Sequence, residues 1–387
     1  MMEFQNYING KWVKGRSTFQ TINPATEEPL AEIAQAEISD VDDAVQAATE
    51  AFKSWRLVPA PLRGEILFKV GDLLKQKKEE LAQLLTRDMG KVIAEARGDV
   101  KEAIDIGGIK QWISIQASNK AHPVLLFLHG GPGNSAMGYA EKFSGELQKY
   151  FVVVHWDQRE SGKTAELNAS DKPLSVALAE SDAIEVINYL RRRFTREKIY
   201  VMGHSWGGFL AIKIAADHPE LLEACLAVSP MVDQLESERL SLKWMWDKAK
   251  QESNRQALKE LQSVSIPFAN GEQLYFHRSW LLKMAGRKSP SKSFVETWAT
   301  KWLAVFNEGS AINFFSIAPQ IDCPVYFFVG RKDYQTHFKL TEEYYNVLKA
   351  PAKNFYWFEN SGHNLTTSEP ARLQEIIIND ILAKTGG

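Results

Sequence analysis

Residues 203–207 read Gly-His-Ser-Trp-Gly, and the central serine, Ser205, could serve as a nucleophile. The apolar, β-favouring stretch 198–202 precedes this segment, and residues 208–216 follow it with the composition of a buried helix. A strand, a sharp turn and a helix around G-x-S-x-G are the context of a nucleophile elbow, which holds the serine hydroxyl above a sheet. The segment therefore predicts a catalytic serine; the alternative is a glycine-rich turn with an inert one.

A serine hydroxyl needs a general base, and the base needs an acid that orients it. In enzymes with such an elbow these residues follow the serine in the order acid, then histidine. Asp333 comes directly after the apolar strand pattern 324–330, and His363 lies in a loop after the aromatic strand pattern 354–358. We predict that they are the acid and the base; the alternatives are a turn-capping aspartate and a solvated loop histidine.

The negative oxygen that forms during acyl transfer needs hydrogen-bond donors. One donor is expected from the backbone N–H after the nucleophile, at Trp206, and one from a loop after an earlier strand. The glycine-rich loop 129–133 follows the apolar stretch 123–128, and glycines allow close approach of backbone to substrate. We predict Gly131 as the second donor and a structural role for His129.

Three motifs together resemble the α/β-hydrolases of the prolyl aminopeptidase (proline iminopeptidase) type: HGGPG at 129–133, DQRESG at 157–162 and GHSWGG at 203–208. The resemblance covers about 106–385. It implies the α/β-hydrolase fold, with a mostly parallel eight-stranded sheet, helices on both faces and a helical cap, and neither a metal nor an organic cofactor. Glu160 stands where that family has glycine, which predicts a strained turn or a carboxylate near the site. His204 replaces an elbow glycine, so the motifs favour serine hydrolysis more than proline specificity.

The cap is predicted at 233–318, between two strand patterns, as a set of amphipathic helices. It carries five of the eleven tryptophans, which suggests an apolar ceiling over a pocket: Trp244, Trp246, Trp280, Trp298 and Trp302. The resemblance implies that cap carboxylates hold the α-ammonium group of a substrate. The candidates are Glu236, Glu238, Glu272, Glu296 and Glu308, and ordinary packing or solvated surface charge is the alternative for each of these residues.

The sequence pattern of residues 1–105 predicts a small α+β segment, with a strand–turn–strand over 7–13 and helices over 40–55, 61–85 and 92–105. YINGKWV at 7–13, INPATEEPL at 22–30 and DMGK at 88–91 resemble the N-terminus of aldehyde dehydrogenases of the succinate-semialdehyde type. The match stops before the nucleotide-binding fold and the nucleophilic cysteine, and Cys225 and Cys323 lie on predicted buried strands. We therefore expect no NAD binding and no dehydrogenase activity.

The boundary between the two segments is placed near residue 105, with domains at 1–105 and 106–387. Residues 103–106 could end a dehydrogenase-type helix or form a first hydrolase strand. The apolar stripes of the N-terminal helices lack the sheet that a complete dehydrogenase would supply. Three outcomes are possible for these stripes: packing on the hydrolase segment, self-association through 1–105, or partial disorder of the segment. The joined sequence itself could be a natural fusion, an engineered chimera or an assembly error.

The composition of the chain narrows the classes of function that remain possible. The 387 residues carry a net charge of −2, which argues against nucleic-acid binding, and two cysteines supply no disulfide framework. No apolar run indicates a signal peptide or membrane span, so we expect a cytoplasmic protein acting on a small molecule or short peptide. The sequence predicts a serine hydrolase, foremost an aminopeptidase of the prolyl type. The alternatives are a carboxylesterase or other small-acyl hydrolase, and a non-catalytic fusion or scaffold protein.

Overall fold

The computed structural model describes residues 2–89, 100–170 and 172–385, and its contacts divide the chain into two units, 1–99 and 100–387. Over residues 2–89 the first unit contains five strands and three helices: β1 Met2–Phe4, β2 Asn6–Ile8, β3 Lys11–Val13, β4 Ser17–Ile22, β5 Pro29–Gln35, α1 Ile38–Trp55, α2 Ala60–Gln76 and α3 Lys78–Met89. Strands β2 and β3 pair antiparallel across Asn9 and Gly10, both at positive φ. The predicted strand–turn–strand over 7–13 is confirmed.

The helices of the first unit bury little apolar surface. No side chain of α1 is buried, and the described side chains of this unit that are both hydrophobic and buried are Ala31, Ala34 and Ala82. Large apolar side chains of α1 and α2 are exposed, among them Val45, Phe52, Leu62, Ile66 and Leu73. Helices α1 and α2 therefore carry the apolar side chains that the sequence predicts, and these side chains are exposed.

The second unit begins at Val100, and the sequence places the boundary near residue 105, within a few residues either way. Strand β6, Val100–Ile106, pairs antiparallel with β7, Ile109–Gln116, across a two-glycine turn. The helix predicted over 92–105 is therefore wrong from residue 100 onward, and of the two alternatives for 103–106 the hydrolase strand is the one that forms. Residues 90–99 lie outside the described residues. Ile104 and Ile106 are buried while Asp105 is exposed, and this period of two is that of a half-buried strand.

Strands β6 and β7 form one edge of an eight-stranded sheet of order β13-β12-β11-β10-β8-β9-β7-β6. The other strands are β8 Val124–Leu128, β9 Val152–Asp157, β10 Ile199–His204, β11 Leu222–Val228, β12 Val325–Gly330 and β13 Lys353–Phe358. These six are parallel to one another, and β7 runs antiparallel to β9. The predicted eight-stranded, mostly parallel sheet is confirmed.

Helices cover both faces of this sheet. Along β8, Val124, Leu126 and Leu128 join one hydrophobic cluster while Leu125 and Phe127 join another on the opposite face, as the strand period requires. The covering helices are α4 Ala140–Ser144, α5 Gly162–Leu167, α6 Val176–Phe194, α7 Trp206–Asp217, α13 Phe338–Val347, α14 Leu365–Ser368, α15 Pro370–Ile376 and α16 Ala383–Thr385, with 3₁₀ turns at Glu146–Lys149 and Pro219–Leu221 and a π-helix at Ile377–Leu382. Throughout the described ranges, no helix is both long and apolar enough to cross a bilayer.

Five helices are inserted between β11 and β12, where the sequence predicts the cap at 233–318. They are α8 Gln234–Gln251, α9 Arg255–Gln262, α10 Gly271–Met284, α11 Lys292–Ser310 and α12 Phe314–Ile317. Helices α8, α9 and α10 enclose a small core of their own that includes Met245, Leu261 and Trp280. The insertion is therefore packed internally as well as against the sheet unit.

Candidate active site

The turn between β10 and α7 presents Ser205 at the carboxyl edge of the sheet. Ser205 has φ 58° and ψ −116°, and its N–H donates to the Val228 carbonyl oxygen at 2.9 Å. A Cβ at Gly203 would lie 2.0 Å from the Gly207 oxygen, and a Cβ at Gly207 would lie 2.0 Å from the Leu128 oxygen. Only glycine fits at these two positions, which explains the spacing of the motif.

Ser205, His363 and Asp333 form a continuous hydrogen-bonded series. His363 follows β13 and Asp333 follows β12, so the parallel sheet brings both loops to the edge that carries Ser205. The Ser205 hydroxyl lies 3.0 Å from His363 Nε2, and His363 Nδ1 lies 3.0 Å from Asp333 Oδ2. All three residues are buried. The structure brings together the three residues that the sequence predicts as nucleophile, base and acid.

The Asp333 carboxylate is held by more donors than the histidine alone. Its Oδ1 accepts from the backbone N–H groups of Gln335 and Thr336, at 3.0 and 3.1 Å, and the Thr336 hydroxyl donates to Oδ2 at 2.9 Å. Burial acts to raise the pKa of Asp333, but His363 and the bonds from Thr336 outweigh burial and lower that pKa. Asp333 is therefore an anion that accepts from His363 Nδ1–H.

His204 contacts the loop of the base rather than the nucleophile. Its Nε2 lies 2.8 Å from the His363 carbonyl oxygen, and the two imidazole rings are 4.9 Å apart. Burial, followed by the neighbouring His363, lowers the pKa of His204 to about 4. Neutral His204 can therefore donate from Nε2 and hold the backbone of the histidine loop against the elbow.

One predicted oxyanion donor directly follows Ser205 in the chain, and the other shares the cavity lining with it. Trp206 is the first residue of α7, and Gly131, at φ 120°, lines the cavity beside the serine. Among the described residues, no acceptor takes a hydrogen bond from the backbone N–H of either residue. Gly130 is tightly confined, because a Cβ there would lie 3.2 Å from the Ser205 Cβ.

His129 ties the glycine-rich loop to the loop after β9. Its Nε2 accepts from the Gln158 backbone N–H at 3.1 Å, so the ring proton is on Nδ1, which donates to the Gly130 carbonyl oxygen at 2.9 Å. The Gln158 side-chain amide in turn donates to the His129 carbonyl oxygen. His129 is fully buried, and none of its described hydrogen bonds reaches Ser205, His363 or Asp333, so a structural role stays the prediction for it.

A cavity of about 520 Å³ opens at Ser205. The helical insertion lines much of it with apolar side chains: Leu274, Leu282, Pro290, Phe294, Val295, Trp298 and Phe306. Two cationic side chains, Arg278 and Arg287, also line the cavity. No aspartate or glutamate among the described residues does so.

The structure does not bring the predicted substrate carboxylates into this cavity. Glu160, at φ 61°, has the strained backbone expected where the family has glycine, but its carboxylate pairs with Lys301 at 2.5 Å. Glu236 pairs with Arg239 on the surface of α8, at 3.2 Å. Trp244 stacks on Tyr334, with ring centroids 4.5 Å apart, and does not line the cavity either. Glu160, Glu236 and Trp244 were therefore misplaced by the sequence-based prediction.

Glu238 lies one residue layer behind the cavity. Its side chain is 1% exposed and forms a two-fold ion pair with Arg278, in which Nη1 lies 2.6 Å from Oε2. The Gln234 amide also donates to Oε1 at 2.6 Å. Burial acts to raise the pKa of Glu238, but the charge of Arg278 outweighs burial and lowers it. The carboxylate is already neutralised and does not face a substrate ammonium group.

The remaining candidates from the insertion are also engaged elsewhere. Glu272 lies 2.7 Å and Glu296 3.7 Å from the Lys292 ammonium group, on the exposed surface. Glu308 accepts from the Val176 backbone N–H at 3.1 Å, which joins α11 to the start of α6. None of the three lines the cavity.

Residues 123–369, more than half of the chain, match the family described as alpha/beta hydrolase fold. The chain belongs to this family. One relative of the hydrolase is named Probable aminopeptidase YbaC, from Bacillus subtilis (strain 168). It is 28% identical over 297 residues, which cover 70% of this chain and 93% of that protein.

Solved structures share the fold of the hydrolase. The proline iminopeptidase of Mycobacterium smegmatis aligns with a TM-score of 0.50 and 15% identity, over 74% of this chain and 98% of that one. A structure titled as a membrane phospholipase A aligns with a TM-score of 0.54 and 16% identity, over 84% of this chain and 97% of that one. At these identities the likeness concerns the fold alone.

The first part of the hydrolase chain matches a second family. Residues 12–147 match the Aldehyde dehydrogenase family. Malonate-semialdehyde dehydrogenase 2 of Geobacillus kaustophilus (strain HTA426) is 48% identical over 103 residues, which cover 26% of this chain but 21% of that protein. The chain thus spans about a fifth to a quarter of such dehydrogenases. The two family matches overlap at 123–147, and the structure places this overlap in the hydrolase sheet, where β8 pairs with β10.

Sequence reasoning missed three residues of the site. Thr336, which bonds to Asp333, could have been found, because an aspartate often accepts from the backbone two or three residues later in a turn. Arg278 and Arg287 carry no such signal, since nothing in a helix or a loop pattern shows that an arginine faces a cavity.

Proposed function

We propose that the protein is a serine hydrolase that cleaves an amide or ester bond through an acyl-enzyme. The observation that carries this proposal is the series from the Ser205 hydroxyl through His363 to Asp333, with 3.0 Å at each step. The N–H groups of Gly131 and Trp206 support it further, since no acceptor among the described residues takes a hydrogen bond from them.

Acylation begins when His363 Nε2 takes the hydroxyl proton as Ser205 Oγ attacks the substrate carbonyl carbon. The carbonyl oxygen becomes negative and accepts from the N–H groups of Gly131 and Trp206. Asp333 stabilises the imidazolium that forms. The C–N or C–O bond then breaks, and His363 gives its proton to the leaving amine or alcohol.

Deacylation repeats these steps with water as the nucleophile. His363 takes a proton from water while the hydroxide attacks the acyl carbon, and the same two N–H groups hold the oxyanion. The Ser205–acyl bond breaks, the proton returns to Ser205, and the carboxylic acid leaves. Thr336 and the backbone of Gln335 keep the acid fixed throughout, because they bond to both oxygens of Asp333.

Two substrate classes fit this chemistry. An aminopeptidase of the prolyl type is the first, supported by the name of the relative that covers 70% of the chain. A carboxylesterase or small-acyl hydrolase is the second, and one observation favours it: the described lining of the cavity has no carboxylate to hold a substrate ammonium group. Comparison of prolyl-β-naphthylamide with p-nitrophenyl acetate separates them, since ester turnover without any aminoacyl-arylamide turnover would exclude the peptidase.

A fluorophosphonate probe tests the hydrolase proposal directly. We expect the folded protein to be labelled and Ser205→Ala to lose labelling completely, because the probe reacts with activated serines. Ser263→Ala, at an exposed serine after α9, serves as the control and should label like the parent. Absence of labelling in protein with native circular dichroism would contradict the proposal, as would labelling that survives in Ser205→Ala.

A further inference from the structure

The two arginines that line the cavity differ in their partners. Arg278 has both terminal nitrogens on Glu238, and its guanidinium lies over Phe268 and Phe306, with 5.4 and 5.9 Å to the ring centroids. The Glu238 carboxylate therefore neutralises its charge. Arg278 therefore shapes the cavity and leaves no net charge in it.

Arg287 has no such partner. It lies in the loop between α10 and α11, it is exposed, and none of the described carboxylates lies within 4.0 Å of its guanidinium. The acid of the adjacent loop, Glu359, is already paired with Arg331 at 3.1 Å. Arg287 thus contributes an uncompensated positive charge to the cavity.

This charge lies beside the loop that carries His363. A Cβ added to Gly362 would be 4.0 Å from Arg287 Nη1, and Gly362 directly precedes His363. The guanidinium therefore stands at the part of the cavity where the histidine loop and the insertion meet. A planar guanidinium can take a carboxylate with two parallel N–H···O bonds.

We propose that Arg287 selects substrates that carry a carboxylate, which it binds while Ser205 attacks the scissile carbonyl. This rests on the proposed hydrolase function. The carboxylate belongs either to the acyl part, as in a dicarboxylic half-ester, or to the leaving part, as in the C-terminus of a dipeptide. A cavity with an apolar wall and one unpaired cation can bind either kind of substrate, because the apolar part of the substrate packs on the insertion while its carboxylate reaches Arg287.

Matched substrate pairs test the proposal on the full chain. For the acyl part, p-nitrophenyl hydrogen glutarate is compared with p-nitrophenyl butyrate; for the leaving part, a prolyl dipeptide is compared with its C-terminal amide. We expect at least one anionic substrate to be preferred. Arg287→Gln should lower its kcat/KM by about tenfold, mainly through KM, and leave the neutral twin within about twofold.

Two further variants isolate the cause. Arg287→Lys keeps the charge but loses the two-pronged geometry, so it should retain part of the preference. Lys288→Gln removes the neighbouring exposed cation, which does not line the cavity, and should change neither substrate. The preference should also weaken as salt rises from 50 to 500 mM, because the site is open to solvent.

Fluorophosphonate labelling of Ser205 in each variant keeps the two proposals separable. If Ser205 is labelled but no anionic substrate is preferred, or if Arg287→Gln reduces anionic and neutral turnover equally, the carboxylate proposal is overturned and the hydrolase proposal stands. If the parent protein is not labelled, the hydrolase proposal itself fails.

Discussion

Replacement of Glu238 by glutamine tests whether this residue is structural or holds substrate. Glu238 is buried, and Arg278 is only 13% exposed, so loss of the negative charge leaves a nearly buried cation without its counter-ion. His277 adds no second positive charge beside Arg278, because burial lowers its pKa to about 4 and keeps it neutral. Breaking a buried pair by removing one partner costs about 3–5 kcal/mol.

Glutamine retains an oxygen that can accept from Arg278, so the lower end of that range, about 3 kcal/mol, is expected for Glu238→Gln. At about 2–4 °C per kcal/mol, the melting temperature of the second unit should fall by about 6–12 °C. Circular dichroism and urea unfolding at pH 7 measure both quantities.

Glu236→Gln is the matched control on the same helix. Its ion pair with Arg239 is on the surface, with the two side chains 42% and 54% exposed, and such pairs contribute less than about 1 kcal/mol. The reasoning is refuted if both variants unfold at the same temperature. It is equally refuted if Glu238→Gln keeps its stability but loses binding of aminoacyl substrates, the outcome for a carboxylate that holds an ammonium group.

Two more perturbations follow from close contacts and from buried histidines. Gly207→Ala should abolish labelling of Ser205 or prevent folding, because its Cβ would lie 2.0 Å from the Leu128 oxygen; Gly138→Ala, with no atom within 4 Å of the new Cβ, should behave like the parent protein in the same labelling assay. Burial lowers the pKa of His155 from 6.5 to about 4, so between pH 6.5 and 4 this histidine is protonated only in the unfolded chain. The free energy of unfolding should therefore fall, by up to about 3 kcal/mol, as the pH is lowered from 6.5 to 4. Urea unfolding across this range should show a shallower dependence for His155→Gln and an unchanged one for His218→Gln, at a side chain that is 39% exposed; equal slopes in all three proteins would count against this assignment.

The elements that carry Ser205, Asp333 and His363 were predictable because each has a strong local signal. Continuous apolar runs indicate the buried strands β10 and β12, an aromatic run indicates the half-buried strand β13, and glycines or polar residues mark where each strand ends. Parallel strands place their carboxyl ends at one edge, so residues far apart in sequence meet there. The three residues therefore meet at one edge of the sheet, as the order and pattern of the strands imply.

The edge strand β6 was predicted poorly because its signal is ambiguous. Ile104 and Ile106 alternate with exposed Asp105, yet a run of only seven residues after a helical segment is compatible with either period. Pairing with β7 decides the matter through seven register pairs from Val100 to Ile106. Such pairing is a tertiary contact, and no local propensity reports it.

The charge of the cavity could not be predicted from the sequence, for a different reason. The buried side of α8 carries polar residues at helical spacing, Gln234, Ser237, Glu238 and Ser241, so an apolar stripe could not show which side faces inward. Glu236 and Glu238 are two residues apart and are equivalent in the sequence, but only Glu238 meets Arg278, forty residues away on α10. Because this contact removes one cation from the cavity and leaves Arg287 as the unpaired one, the specificity of the site depends on a pairing that only the packed insertion creates.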